Sequence, residues 1–271
     1  MKRIAILVML FAVMVAGGRP AHSADLSVII RFDVETDSSS YMQGEPVIVV
    51  LVASSPTAMN AHYQNIAAGT AAEKVPEVVL GSPAEPWVDS VKFTVTDNKG
   101  ESIPVKVSAK GAQADAVTLN GENFAEGTFF VDPMESAKLP SGIYSIRARL
   151  KDVESRALIL TIVPKEKELT GKESIPQLVK FGRYHLVRGD FQEAKGYAER
   201  VLAIDAHSLK GMDMLGDAFT GLGQYREAYA TFTKAIDEFF VQNPPSKEPI
   251  SSCKGPDLFA EKRNKLKKLL K

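Results

Sequence analysis

Alternating hydrophobic and polar positions in the first half of the chain predict β-strands. Residues 91–96 alternate, residues 97–100 (DNKG) are a turn signal, and residues 103–107 alternate again, which predicts a β-hairpin with one buried face. Val47–Val52 is instead a continuous apolar run, typical of a strand with a neighbour on each side. Further strands are predicted at residues 26–34, 128–131, 143–150 and 157–163.

The spacing of these segments indicates an antiparallel β-sandwich. Seven or so short strands are separated by turn signals, with no helical period between them. Tyr41–Val47 (YMQGEPV) and Leu139–Tyr144 (LPSGIY) resemble segments that open strands in immunoglobulin-like domains of exported bacterial proteins. The resemblance implies an immunoglobulin-like sandwich over residues 25–164. We expect its core to include Trp87, Phe93, Phe129, Phe130 and Tyr144.

The second half of the chain has a helical period and repeats itself. Gly189–Ala194 (GDFQEA) returns 34 residues later as Gly223–Ala228 (GQYREA), and the surrounding small and aromatic positions keep the same phase. This pattern resembles the tetratricopeptide repeat (TPR) family. The resemblance implies a linker over residues 165–174 and a TPR module over residues 175–271, with two repeats and a C-terminal capping helix. In that helix we expect four apolar residues to pack inward, Leu258, Phe259, Leu266 and Leu269. The cations are expected to lie in water: Lys262, Arg263, Lys265, Lys267, Lys268 and Lys271.

The TPR resemblance also implies a binding site. Arrays of this family hold a peptide or helix of another protein in a concave groove, which is lined by the first helix of each repeat. Carried over by repeat phase, the groove positions are Val179, Lys180, Arg183, Lys210, Asp213, Met214 and Asp217. Two aspartates stand where the subclass that grips a partner's terminal carboxylate needs Asn and Lys. We therefore expect a ligand of mixed charge.

The first 24 residues have the order of a secretory signal peptide. Met1–Arg3 is basic, Ile4–Val15 is uncharged and apolar, and small residues follow, so that cleavage after Ser23 or after Ala24 fits. The alternative is an uncleaved membrane anchor, although the apolar run is shorter than the ~20 residues of a spanning helix. The segment predicts export to the periplasm or the extracellular side of the cell envelope, without stable membrane insertion after cleavage.

Charge divides the chain into unlike parts. The whole chain has 33 basic and 33 acidic residues. Residues 1–24 carry three basic residues, and residues 25–164 carry 11 basic and 18 acidic residues, a net −7. Residues 165–271 carry 19 basic and 15 acidic residues, a net +4. The balanced total argues against nucleic-acid binding. The opposite signs favour attraction between the two halves, within one chain or by self-association of copies.

The sequence lacks the common motifs of catalysis and metal binding. HExxH, GxSxG, a phosphate loop and GxGxxG are all absent. The single Cys253 excludes an internal disulfide and a multi-cysteine metal site, and leaves a free thiol or an intermolecular disulfide as alternatives. Asp213 and Asp217 share a helix face, for which a solvated binding face is the expected role. We expect no enzymatic activity, no cofactor and no metal.

Together these observations predict a multidomain all-β plus all-α fold and an exported, non-enzymatic adaptor or assembly protein. Its expected partner is another protein, bound as a peptide or helix in the TPR groove. The alternative is carbohydrate or cell-surface polymer binding by the sandwich, with the repeats serving dimerisation and Trp87 as its aromatic support. Residues 54–86 are too long for a hairpin loop, and either form a binding surface or are a tolerated insertion.

Overall fold

The computed structural model describes residues 31–36, 38–56, 77–110, 116–119, 124–165, 169–243 and 255–270. The predicted signal peptide, residues 57–76 of the long loop and Cys253 lie outside these residues. Within the described residues, no helix combines the length and the apolar character needed to cross a membrane.

The strands lie in three sheets between residues 31 and 163, which we call the strand part. One sheet has the order β1-β3-β8-β6, a second has the order β10-β9-β11-β2 with β5 also paired to β9, and β4 and β7 form a third. All pairs are antiparallel except β11 with β2, which is parallel. The strands are β1 (Arg31–Thr36), β2 (Ser40–Met42), β3 (Val47–Ser54), β4 (Val78–Gly81), β5 (Lys92–Asp97), β6 (Val107–Ala109), β7 (Ala116–Leu119), β8 (Ala125–Val131), β9 (Gly142–Leu150), β10 (Val153–Glu154) and β11 (Leu158–Val163).

The long helices lie between residues 175 and 269, which we call the helical part. Gly189 and Gly223 follow the first helix of each sequence repeat and have left-handed φ angles of 82° and 72°. After each glycine, the N–H of the next residue donates to a carbonyl of the last helical turn and so ends the helix. Asp190 donates to His185, and Gln224 donates to Phe219, each at 2.9 Å. The helices are α1 (Pro133–Ser136), α2 (Ile175–Arg188), α3 (Phe191–Ile204), α4 (Leu209–Gly221), α5 (Tyr225–Gln242) and α6 (Gly255–Leu269).

The expected fold class is wrong: the structure is not an immunoglobulin-like antiparallel sandwich followed by a two-repeat TPR array with a C-terminal capping helix. About 45% of the described residues are helical and about 30% lie in strands, in three sheets with the helices toward the C-terminal half. The parallel pair of β11 and β2 also departs from an antiparallel sandwich. Periodicity predicts strands and helices separately, but it does not reveal how the strands divide among sheets.

The predicted hairpin at residues 91–107 forms only beside its turn: the N–H of Ile103 donates to the carbonyl of Val95 at 2.8 Å, but the pairing with β5 does not continue to residue 107. Its turn forms, because Asp97 Oδ1 accepts hydrogen bonds from the backbone N–H groups of Lys99 and Glu101, each at 2.9 Å. Pro104 follows, and it has no N–H to continue the ladder. The chain then crosses to the other large sheet, where β6 pairs with β8 while β5 pairs with β9.

The predicted core residues occupy two different places. Trp87, Phe129 and Tyr144 are buried in the core of the strand part, and Phe93 packs edge-on against Phe129 with ring centroids 4.8 Å apart. Phe130 points to the opposite face of β8, since successive side chains of a strand alternate. There it is covered by Tyr184 of α2, with ring centroids 5.5 Å apart. This sheet is therefore covered on both faces.

His207, in the turn between α3 and α4, is joined to α5. Its Nδ1 lies 2.9 Å from a carboxylate oxygen of Glu238, and this hydrogen bond raises the pKa of His207. Because the folded pKa is raised, the stability from protonated His207 is fully present below its unfolded pKa of about 6.5, and is lost as pH rises through the folded value. We expect an NMR titration to give a His207 pKa above about 6.5 and Glu238→Gln to lower it. An unshifted His207 in the unmodified chain would contradict this contact.

Candidate functional site

Helix α2 meets the strand part through side chains spaced four residues apart. Lys180, Tyr184 and Arg188 lie on successive turns, so they share one helix face. On the strand part, this face meets Glu45 at the entrance to β3, Phe130 of β8, and Asp132 just after β8. Each of the two ion pairs takes its carboxylate from the acidic strand part and its cation from the basic helical part.

The first contact is an ion pair that water hardly reaches. Glu45 is 2% exposed, and the Nζ of Lys180 lies 2.6 Å from its Oε2. The same Nζ donates to the carbonyl of Ser40 at 3.0 Å and lies 4.5 Å from the centroid of the Tyr41 ring. Glu45 Oε2 also accepts the backbone N–H of Met42 at 2.9 Å. A buried ion pair needs such additional partners to offset the loss of hydration.

The second contact is a chain of polar groups at the end of α2. The Tyr184 hydroxyl donates to Asp132 Oδ1, and it accepts from Arg188 at 2.8 Å. Arg188 lies 3.6 Å from Asp132 and 3.1 Å from Asp190, whose carboxylate is 3.4 Å from Nδ1 of His185. Burial, together with the hydrogen bond to Asp132, raises the pKa of Tyr184. The hydroxyl therefore remains a donor at neutral pH.

Beside this chain of polar groups, an open cleft of about 540 Å³ lies between α1 and helices α2 and α3; we call it the junction cleft. The rings of Phe181 and Tyr197 are stacked, with centroids 5.7 Å apart and an interplanar angle of 12°. Tyr197 also stacks with His185, at 5.4 Å and 17°. Met134 of α1 lines the other side and is 79% exposed. The cleft is also lined by Lys106, Asp132, Pro133, Glu135, Tyr184 and Arg188.

The seven residues predicted to line a groove do not form one open surface. Val179 and Met214 are buried in the packing between helices. Lys180 is held by the strand part, Arg183 is partly buried and Lys210 is exposed. The prediction of an open face is therefore wrong for Val179, Met214 and Lys180. Repeat phase alone cannot show that a sheet covers part of α2.

Asp213 and Asp217, the last two predicted residues, both bind Lys262 of α6. The Lys262 Nζ donates to one carboxylate oxygen of each aspartate at 2.7 Å. Burial raises the pKa of Asp217, although Lys262 acts in the opposite direction. Phe259 and Leu266 are buried as expected, whereas Leu258 and Leu269 are 47% and 59% exposed, so the prediction that they pack inward is wrong. The prediction that Lys262 lies in water is also wrong. The aspartates hold a helix of the same chain.

The described residues also bear on metal binding and on carbohydrate binding. Within the described residues, no group of three or more His, Cys, Asp or Glu side chains is placed to hold a metal ion. Trp87, the aromatic support for carbohydrate binding, is 1% exposed and lies in the core of the strand part. Its ring is therefore not available to stack on a sugar in this conformation.

The residues of the junction cleft were not predicted from the sequence, although two signals pointed toward it. Lys180, Tyr184 and Arg188 at four-residue spacing indicate one helix face, of which only Lys180 is among the predicted groove positions. The run of Phe129, Phe130 and Val131 indicates a strand covered on both faces, because alternation is lost there. Neither signal shows that the two faces meet.

Comparisons with known proteins do not identify a family. No family model matches the sequence, and no curated protein matches it. Among solved structures, one similar chain is a family 123 glycoside hydrolase from Clostridium perfringens, described in a study of glycolipid glycan hydrolysis. The TM-score is 0.26 and the identity 9%, and the match covers 61% of this chain and 36% of the hydrolase chain. A likeness at this level carries no argument about fold or activity.

Proposed function

We propose that this protein is an exported, non-enzymatic adaptor that binds another protein, with a peptide or helix of the partner in the junction cleft. The observation that carries the proposal is the exposed Met134 side chain on the opposite side of the cleft from the stacked Phe181 and Tyr197 rings. Export is supported by the basic, apolar and small-residue order of residues 1–24.

The composition of the cleft supports a protein partner. Aromatic residues, Met and Arg are enriched at protein–protein interfaces, and Tyr and Arg are frequent where binding energy concentrates. The unbranched Met134 side chain can adapt to an apolar side chain of a partner. Arg188, together with Asp132, supplies both charge signs at the polar end. A partner segment that carries both positive and negative side chains would suit this end of the cleft.

The two walls of the cleft are fixed relative to each other, which also supports binding. Met134 belongs to the strand part, whereas Phe181 and Tyr197 belong to the helical part. The Glu45–Lys180 ion pair and the Tyr184–Asp132 hydrogen bond join the two parts beside the cleft. A site whose walls are held before binding loses less conformational entropy when it is occupied.

The test is co-purification of the partner with the full chain from the envelope fraction of producing cells. Met134→Asp places a charge in the apolar part of the cleft, and we expect it to reduce partner recovery by about tenfold or more, because interface anchors contribute about 2 kcal/mol or more. Ile159→Asp is the matched control, since Ile159 is 54% exposed on β11, outside the cleft. Unchanged recovery with Met134→Asp, or an equal loss with Ile159→Asp, would refute the proposal.

A further inference from the structure

A second cleft, formed only by the strand part, is lined by three cations. Lys92, Arg149 and Lys151 surround an open space of about 460 Å³ together with Glu85 and Ser90. This volume lies in the range of small-molecule sites, roughly 300–1,000 Å³. We call it the cation cleft. It shares no lining residue with the junction cleft, so an inference about it is independent of the proposed function.

Two of these cations stand directly opposite each other. Lys92 of β5 pairs with Arg149 of β9 in the antiparallel register, and both side chains are exposed. Like charges at directly opposite positions destabilise a sheet. Within the described residues, Lys92 and Lys151 have no ion pair with a carboxylate. On its other side Arg149 stands opposite Glu154 of β10, whose carboxylate lies 3.9 Å from Arg147. An anion in the cleft would supply the counter-charge that the two lysines lack.

The third cation occupies an unusual backbone position. Lys151 has a φ of 52°, in the left-handed region, within the two-residue connection between β9 and β10. Such positions favour Gly or Asn. Arg149 Nε donates to the carbonyl of Lys151 at 3.2 Å, which joins the guanidinium to this turn. Turn geometry therefore does not explain a lysine here, whereas a cationic site does.

The remaining two residues form a polar, hydroxyl-binding side. The Ser90 hydroxyl donates to Oε1 of Glu85 at 2.9 Å, which fixes both side chains at the cleft. A carboxylate accepts hydrogen bonds from ligand hydroxyl groups, but repels a ligand that carries only negative charge. One carboxylate beside three cations leaves the cleft net positive. The arrangement thus suits a ligand that carries both an oxyanion and hydroxyl groups.

We propose that the cation cleft binds the phosphate monoester of a hydroxylated compound, such as a sugar phosphate. The guanidinium of Arg149 and the ammonium groups of Lys92 and Lys151 bind the phosphate oxygens as charge-assisted donors. Glu85 and Ser90 bind the hydroxyl groups of the carrier. The shared chemistry is found in free sugar phosphates and in phosphoinositide headgroups on membranes.

The binding test is calorimetric titration of the full chain with glucose 6-phosphate, inorganic phosphate and glucose, and vesicle co-sedimentation with phosphatidylinositol 4-phosphate. We expect glucose 6-phosphate to bind more tightly than inorganic phosphate, and glucose not to bind. Tighter binding to the vesicles would assign the same chemistry to a membrane source. Equal binding of glucose and glucose 6-phosphate, or no binding to any phosphate-bearing probe, would overturn the proposal.

Matched arginine variants locate the site. Arg149→Gln should weaken binding of the phosphate probe by about tenfold, because charge-assisted hydrogen bonds are lost. Arg147→Gln should leave it within about twofold, since Arg147 lies two residues earlier on β9, is exposed, and is 3.9 Å from Glu154 rather than in the cleft. Both variants lose one positive charge. An equal loss in the two variants would show non-specific attraction and overturn the assignment.

The ligand-free protein gives an independent readout. Lys92→Gln removes one member of the like-charged pair, so it should raise the melting temperature without ligand while reducing the rise caused by glucose 6-phosphate. A lower melting temperature without ligand would show that Lys92 has a structural role in the sheet, which would contradict a cation held for an anionic ligand.

Discussion

Lys180→Met is expected to lower the free energy of unfolding by about 3–5 kcal/mol, because it leaves the carboxylate of Glu45 buried without its cation. Glu45 is 2% exposed and Lys180 Nζ lies 2.6 Å from it. Denaturant unfolding measures the change. Trp87, the single tryptophan, reports on the strand part by fluorescence, and far-UV circular dichroism reports mainly on the helices. We expect the two signals to change together in the unmodified chain and to separate in Lys180→Met.

Two variants control for this result. Arg147→Met breaks the exposed pair of Arg147 and Glu154, 3.9 Å apart, and should cost less than about 1 kcal/mol. The double variant Glu45→Gln with Lys180→Met removes the buried charge, and the amide oxygen of the glutamine can still accept the Met42 N–H. The double variant should therefore recover about half or more of the stability that Lys180→Met loses. If Lys180→Met costs no more than Arg147→Met, the ion pair does not hold α2 on the strand part.

Gly216→Ala should destabilise the helical part by about 2 kcal/mol, although alanine is the better helix former. A Cβ at this position of α4 would lie 2.5 Å from the ring of Phe232 on α5. Phe232 is 1% exposed, so its ring has little room to move aside. The close approach of the two helices therefore requires glycine. Thermal unfolding followed by circular dichroism measures the change.

Gly196→Ala is the matched control, because it introduces the same side chain inside helix α3. A Cβ there would have no heavy atom within 4 Å other than those of its chain neighbours and of the nearby backbone of its own helix. Replacing a helix-interior glycine by alanine then gives a gain of about 0.5–1 kcal/mol. The two substitutions should thus shift the melting temperature in opposite directions. A gain in both would show that α4 and α5 are not packed as closely as Phe232 and Gly216 indicate.

The local elements of this protein could be predicted from its sequence, for physical reasons that particular residues make clear. The apolar run at Val47–Val52 lies in β3, which has β1 and β8 as neighbours, because its β-branched side chains suit a central strand. The small residues Ala194, Ala198 and Ala228 are buried within the helical part, as the 34-residue repeat indicates. These predictions rest on periodicity, which acts over a few residues.

The arrangement of these elements could not be predicted in the same way. Pro104 redirects the chain from one sheet to another, but the alternation on either side of it is that of a hairpin. Lys180 has a groove position by repeat phase, yet Glu45 lies 135 residues earlier in the chain and binds it. The junction cleft depends on this long-range contact, so its residues emerge only from the folded chain.

The most direct measurement for the proposed function is site-specific photo-crosslinking in producing cells. A photoreactive amino acid replaces Met134 in the full chain, and the same amino acid at Ile159 is the control. We predict that position 134 forms a defined crosslink to another protein, mapped by mass spectrometry to one peptide or helix of that partner, and that position 159 does not. Absence of a protein crosslink at position 134, or the same crosslink from both positions, would contradict the account.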